Sequence, residues 1–117
     1  MDLAARAATL GFWRWDVRGE ELWATGSARG LFGFAPSEPL PFSVFMSRVV
    51  PEDRDLIRGA VDRCVASGEE YETEYRIQPP GAPLRWIGAR GRVERNAACE
   101  PAIMRGIVID ITERREA

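Results

Sequence analysis

The sequence predicts an α+β domain: a five-stranded, largely antiparallel sheet with helices covering one face. Three observations predict it. FWRWDV alternates apolar and polar side chains near the start, three further strand-like runs crowd the last third, and a helical middle punctuated by Gly and Pro separates the two groups. Strands and helices segregated along the chain, rather than alternating, favour an antiparallel sheet with its helices on one side.

Residues 2–9 are good helix formers, and Leu3, Ala7 and Leu10 fall on one side at helical spacing, so residues 1–10 are expected to form a flanking helix. In the first strand Trp13, Trp15 and Val17 share one face, and Phe12, Arg14 and Asp16 the other. Gly19 turns the chain into a short second strand, ELWAT. Residues 26–50 suit short helices and loops packed by Phe32, Phe34, Phe42 and Phe45. Pro51 is fit to open a longer helix, because its missing amide hydrogen would be unpaired there anyway. Leu56, Ile57, Ala60, Val61, Cys64 and Val65 give that helix a buried stripe, and Gly68 its stop. YETEYRIQ and LRWIGARGRVER are the next strands, with Pro80 and Gly81 at the centre of a type II turn between them. After the NAACEP hairpin, AIMRGIVIDI is apolar on both faces, as a central strand would be.

Composition narrows the chemistry. With 117 residues, 45% hydrophobic and 29% charged, the chain is expected to be a single globular domain spanning 1–117 rather than a disordered one. It has no apolar run of the roughly 18 residues needed to span a membrane, and no signal peptide, which suits a cytoplasmic protein or the cytoplasmic part of a larger one. All 16 basic residues are arginine, with no lysine and no histidine, so Schiff-base and imidazole chemistry are excluded. Cys64 and Cys99 make neither a disulfide framework nor a metal site. No acid/base pair, nucleophile motif or phosphate loop stands out, so the chain itself is expected not to be an enzyme.

The strand parities assign Trp13, Trp15, Val17, Ile87, Val93, Ile107 and Ile109 to the core face. The opposite face would carry Phe12, Leu84, Trp86, Met104 and Val108 among Arg14, Arg90 and Arg92. An apolar patch of that kind calls for a cover. The flanking helix, through Leu3, and a second copy of the chain in a homodimer are the expected ones. Asp16, Glu72, Glu74 and Glu94 break any continuous basic track, which argues against nucleic acid.

Six motifs in this order resemble a PAS domain, the sensory module of signalling proteins: GFWRWD at the start, LFGF at 31–34, VPEDR at 50–54, EYRI at 74–77, LRWI at 84–87 and GIVIDITERR at 106–115. Val50, Cys99 and Pro80 stand where relatives often have histidine, glycine and an acidic residue. The resemblance implies a sensory module of a larger multidomain protein, such as a sensor histidine kinase or a nucleotide cyclase, responding to a small-molecule or redox cue. The alternative is a ligand-free domain that only dimerises and relays. A pocket between sheet and helices would be lined by Phe32, Phe45, Val49, Ile57, Val61, Tyr75 and Ile87. Arg105 shares the parity of the core-facing isoleucines, so it is either a buried cation awaiting an anion, or displaced by a bulge at Gly106 or by a late start of the strand. No cofactor is identified: the flavin-adduct motif, cysteine followed by Arg-Phe-Leu, is absent, and histidine-ligated haem is excluded.

At the end of the chain, either Asp110 or Thr112 can cap a helix, with Glu113 placed to complete a capping box. By resemblance, residues 112–117 begin an output helix running to the effector, and Asp110 and Thr112 relay the signal into it.

Overall fold

The computed structural model describes residues 10–116. The strands are β1 (Gly11–Asp16), β2 (Leu22–Ala24), β3 (Tyr71–Ile77), β4 (Arg85–Arg95) and β5 (Pro101–Asp110). The helices are α1 (Gly26–Phe32), α2 (Phe42–Arg48), α3 (Pro51–Ser67) and α4 (Thr112–Glu116). All five strands form one antiparallel sheet in the order β2-β1-β5-β4-β3, so the last strand in sequence is the central one.

Local chemistry fixes the ends of the elements. Thr25 Oγ1 accepts from the Ala28 amide at 3.4 Å, capping α1, and from the Phe12 amide at 3.1 Å, which ties the helix to β1. Pro51 starts α3, with Glu52 and Asp53 in its first turn, where carboxylates favour the helix dipole. Gly68 ends α3 in the left-handed conformation at φ 79°. The turn at Pro80–Gly81 is closed by the Ala82 amide donating to Pro79 O at 3.3 Å. Cys99 holds φ 61° in the last hairpin, a conformation glycine adopts without strain. Asn96 stabilises it: its Oδ1 accepts from the Ala98 and Glu100 amides, and its carbonyl from that of Cys99.

On α3 the buried stripe is Ile57, Ala60, Val61 and Cys64, with Val65 at its margin. Leu56, expected in that stripe, is 49% exposed. It lies about 100° round the helix from Ile57, outside the arc that faces the sheet.

The larger correction concerns β5. Directly opposed residues share a face, and Trp15 pairs with Met104, Trp13 with Gly106, and Gly11 with Val108. Met104 and Val108 are therefore core, 1% and 4% exposed, while Ile107 and Ile109 turn to the outer face with Arg105. The expected assignment was one residue out of phase along the whole strand. Apolar residues on both faces leave parity silent, and two glycines set the register instead. Gly106 lies opposite Gly91, and a Cβ on Gly106 would fall 1.8 Å from Arg90 O. A Cβ on Gly91 would meet the Trp13 ring at 2.7 Å. The bare backbone lets the Trp13 indole lie across β5 towards β3. There it meets Tyr71 edge-on at 5.8 Å and donates from Nε1 to Ile107 O at 3.1 Å. The Arg105 question dissolves with this register: pairing runs unbroken through Gly106, and the one shift falls near the hairpin, at Glu94/Arg95.

Candidate functional site

Between the inner face and the helices lies a cavity of about 60 Å³, walled almost wholly by apolar atoms. Of the residues expected to line it, Phe32, Phe45, Ile57, Val61 and Tyr75 do so. Val49 and Ile87 are fully buried in the surrounding core without reaching it. Arg105 is on the other side of the sheet, 54% exposed and paired with Glu94 at 2.9 Å. The parity assignment hid Met104 and Val108, which line the cavity, as do Trp13, Trp15 and Tyr71. The signal for them was the pair Gly91 and Gly106, which marks where a large ring crosses the sheet.

The aromatic wall is cross-braced. Phe45 meets Tyr75 edge-on at 6.2 Å and Phe32 at 5.4 Å, and Trp15 stacks on Phe42 at 5.2 Å. Burial pushes the Tyr71 hydroxyl up to about 12, against the lowering effect of its bond with Thr73, and the Tyr75 hydroxyl well above its ordinary range. Both stay neutral at any physiological pH. Burial also raises the Cys64 thiol, so it is no ready nucleophile. Neither cysteine lines the cavity, and among the described residues no group of three metal-ligating side chains gathers.

The cavity is linked to the end of the chain by β5 itself. Two residues beyond Val108, Asp110 Oδ1 accepts from the Thr112 amide at 2.9 Å and from Thr112 Oγ1 at 2.6 Å. Thr112 Oγ1 accepts in turn from the Trp86 amide at 3.0 Å, and the Ile111 amide donates to Trp86 O at 2.9 Å. Asp110 and Thr112 thus act together rather than as alternatives, latching the start of α4 to the start of β4. Arg114 and Arg115 both pair with Glu74 of β3, and the Arg115 guanidinium lies 4.0 Å over the Trp86 ring.

At the far edge of the sheet, Asp53 at the head of α3 grips Arg76 of β3. Its Oδ2 accepts from the Arg76 amide at 2.8 Å and Nε at 3.0 Å, and its Oδ1 from Nη2 at 2.8 Å. The Arg76 side chain holds the Asp53 carboxyl below its ordinary value.

On the outer face, Phe12 is 51% and Ile109 38% exposed, with Ile103, Ile107 and Trp86 half-buried near them. Of the face expected to meet a partner, Phe12 and Trp86 are there, Met104 and Val108 point the opposite way, and Leu3 lies outside the described residues. Among the described residues no helix is long and apolar enough to cross a membrane.

A family model described as PAS fold matches residues 21–108. The blue-light-activated histidine kinase of Brucella anthropi is 34% identical over 110 residues, 94% of this chain and 22% of that protein. The protein of the same description from Brucella ovis is 32% identical over the whole chain and 23% of its own length. The chain thus spans under a quarter of these curated relatives. Among solved structures, a sensory box histidine kinase/response regulator from Burkholderia thailandensis superposes with a TM-score of 0.79 at 25% identity, over 97% of this chain and 86% of that one. The N-terminal domain of a diguanylate cyclase with PAS/PAC sensor from Marinobacter aquaeolei shares the fold, with a TM-score of 0.81 at 18% identity over 91% and 98%.

Proposed function

The chain belongs to the PAS family of sensory signal-transduction modules, and we propose that it senses a small molecule held in the inner cavity and passes the signal through α4 to an effector domain of a longer, cytoplasmic parent. A histidine kinase or nucleotide cyclase is the proposed effector, and the domain itself performs no catalysis. One observation carries the reading: β5 lines the cavity with Met104 and Val108 and, two residues on, supplies the Asp110 latch. A ligand that moves β5 moves the start of α4 with it, because no flexible linker intervenes.

The blue-light activation for which the Brucella proteins are named is not part of this reading. A flavin–cysteinyl adduct forms only where a cysteine stands beside the ring, and neither cysteine borders this cavity of about 60 Å³. The same small volume favours a second reading, in which the domain binds no ligand and serves only to dimerise and relay. In both readings the dimer packs through Phe12, Ile107 and Ile109 rather than through Met104 and Val108, since burying exposed apolar area of this kind stabilises association.

A native mass spectrum of the purified protein tests the choice. A dimer with a reproducible small adduct is expected. A bare dimer across several expression hosts would shift the function to dimerisation and relay, and a bare monomer would remove the proposed interface.

A further inference from the structure

Hydroxyl-bearing side chains interrupt the apolar wall of the cavity. Two tyrosines border it, and their hydroxyls are not equivalent. Tyr71 Oη accepts from Thr73 Oγ1 at 3.0 Å. Tyr75, 1% exposed, makes no hydrogen bond with any described residue. Among the described residues no fully sealed side-chain polar atom lacks a partner, so the Tyr75 hydroxyl keeps some accessible surface, and the side chain that carries it borders the cavity. The ring that carries it is pinned by Phe45 at 6.2 Å and Phe32 at 6.5 Å, so the O–H has a fixed position. An unmade hydrogen bond in an apolar pocket is costly, and a ligand that completes it gains accordingly.

The other groups limit the charge of that ligand. Arg29 borders the cavity, but its Nη1 donates to Ala35 O at 2.9 Å and Glu38 O at 2.8 Å, holding the loop after α1. Among the described residues no carboxylate borders it. A cation would therefore enter without a partner among the described residues, and an unpaired buried charge is not tolerated. The volume sets the size. A water-sized group needs about 10–15 Å³ on the same measure, so the cavity takes on the order of five such groups.

Resting on the sensor reading above, we infer that the ligand is a small neutral ketone, aldehyde or alcohol, with an apolar body against the aromatic wall and one oxygen that accepts from the Tyr75 hydroxyl. Purely hydrocarbon molecules of the same shape are discriminated against because they leave that donor unpaired.

Cyclopentanone and its hydrocarbon isostere methylenecyclopentane are the probes, titrated by following the methyl signals of Met104 and Val108. The inference predicts that Tyr75→Phe lowers the ketone-to-alkene affinity ratio by about five- to tenfold, as one net hydrogen bond would. An unchanged ratio, with both probes binding, overturns the oxygen-accepting ligand and leaves the sensor reading intact. Binding of neither probe to the unsubstituted chain overturns both. Should Tyr75→Phe fail to fold, the carbonyl stretch of bound carbon-13 cyclopentanone decides the matter in the unsubstituted protein. A shift to lower frequency than in hexane is expected, and its absence refutes the hydrogen bond.

Discussion

The two faces of the sheet are made from the same strands and solve opposite problems. The inner face is dry and aromatic: Trp13, Trp15, Tyr71 and Tyr75 enclose a void with Met104 and Val108. The outer face sets ion pairs, Arg90 with Glu70 and Glu72 and Arg105 with Glu94, around the apolar Phe12, Ile107 and Ile109. Arg14, Arg105 and Arg92 even lie side by side across three strands there, an arrangement that water tolerates and a core would not. In β5, apolar character alone does not say which way a residue faces. Ile107 and Ile109 are the more β-branched pair and lie outside, while Met104 and Val108 lie within.

The difference between the faces is held first by the glycine pair, so Gly106→Ala should have the largest effect. Its Cβ would overlap the Arg90 carbonyl, a backbone atom with nowhere to retreat. A loss of about 3 kcal/mol or more is expected in urea unfolding, at the upper end of overpacking. A near-neutral result would mean that β5 can pair in another register.

Next comes the tie at the sheet edge. Asp53→Asn should cost about 1–3 kcal/mol, the range for hydrogen bonds to a charged group. The sign with pH follows from the lowered carboxyl. Its contribution is complete above the ordinary value of 3.8 and is lost as pH falls through the depressed folded value. Unfolding midpoints across the acid limb should fall for the unsubstituted chain more steeply than for Asp53→Asn. Parallel curves would mean that the pair does not stabilise the fold.

The smallest effect sharpens the comparison from the other side. Arg105→Ala removes an exposed ion pair, so stability should change by about 0.5 kcal/mol or less and probe binding in the cavity not at all. A loss of binding would return Arg105 to the inner face.

Much of the fold was legible because its determinants are local. Strand alternation, Pro51 at a helix start, Gly68 at its end and the punctuation of the middle segment each name an element without reference to the rest. The faces of β1, β3 and β4 followed from period-2 patterning. Those of β5 did not, because a central strand is apolar on both sides and only its partners decide its phase. The site divided in the same way. Phe32, Phe45, Ile57, Val61 and Tyr75 announce themselves as apolar residues on core-facing positions, and five of the eight expected lining residues border the cavity. Val49 and Ile87 differ from them only in how neighbouring side chains fill space, which no pattern encodes. Asp110 and Thr112 were legible as helix-start residues, but their shared hold on Trp86 depends on β4 lying beside β5, 26 residues away along the chain.

The central claim is that cavity and latch are one mechanical unit joined by β5. Xenon, which enters dry apolar cavities without needing a hydrogen bond, tests it without any assumption about the natural ligand. Under increasing xenon pressure, the methyl signals of Met104 and Val108 and the amides of Trp86, Ile111 and Thr112 are followed by NMR. The account predicts that both groups shift with a common midpoint. Methyl shifts with unmoved latch amides would contradict it, leaving a cavity that fills without informing the helix.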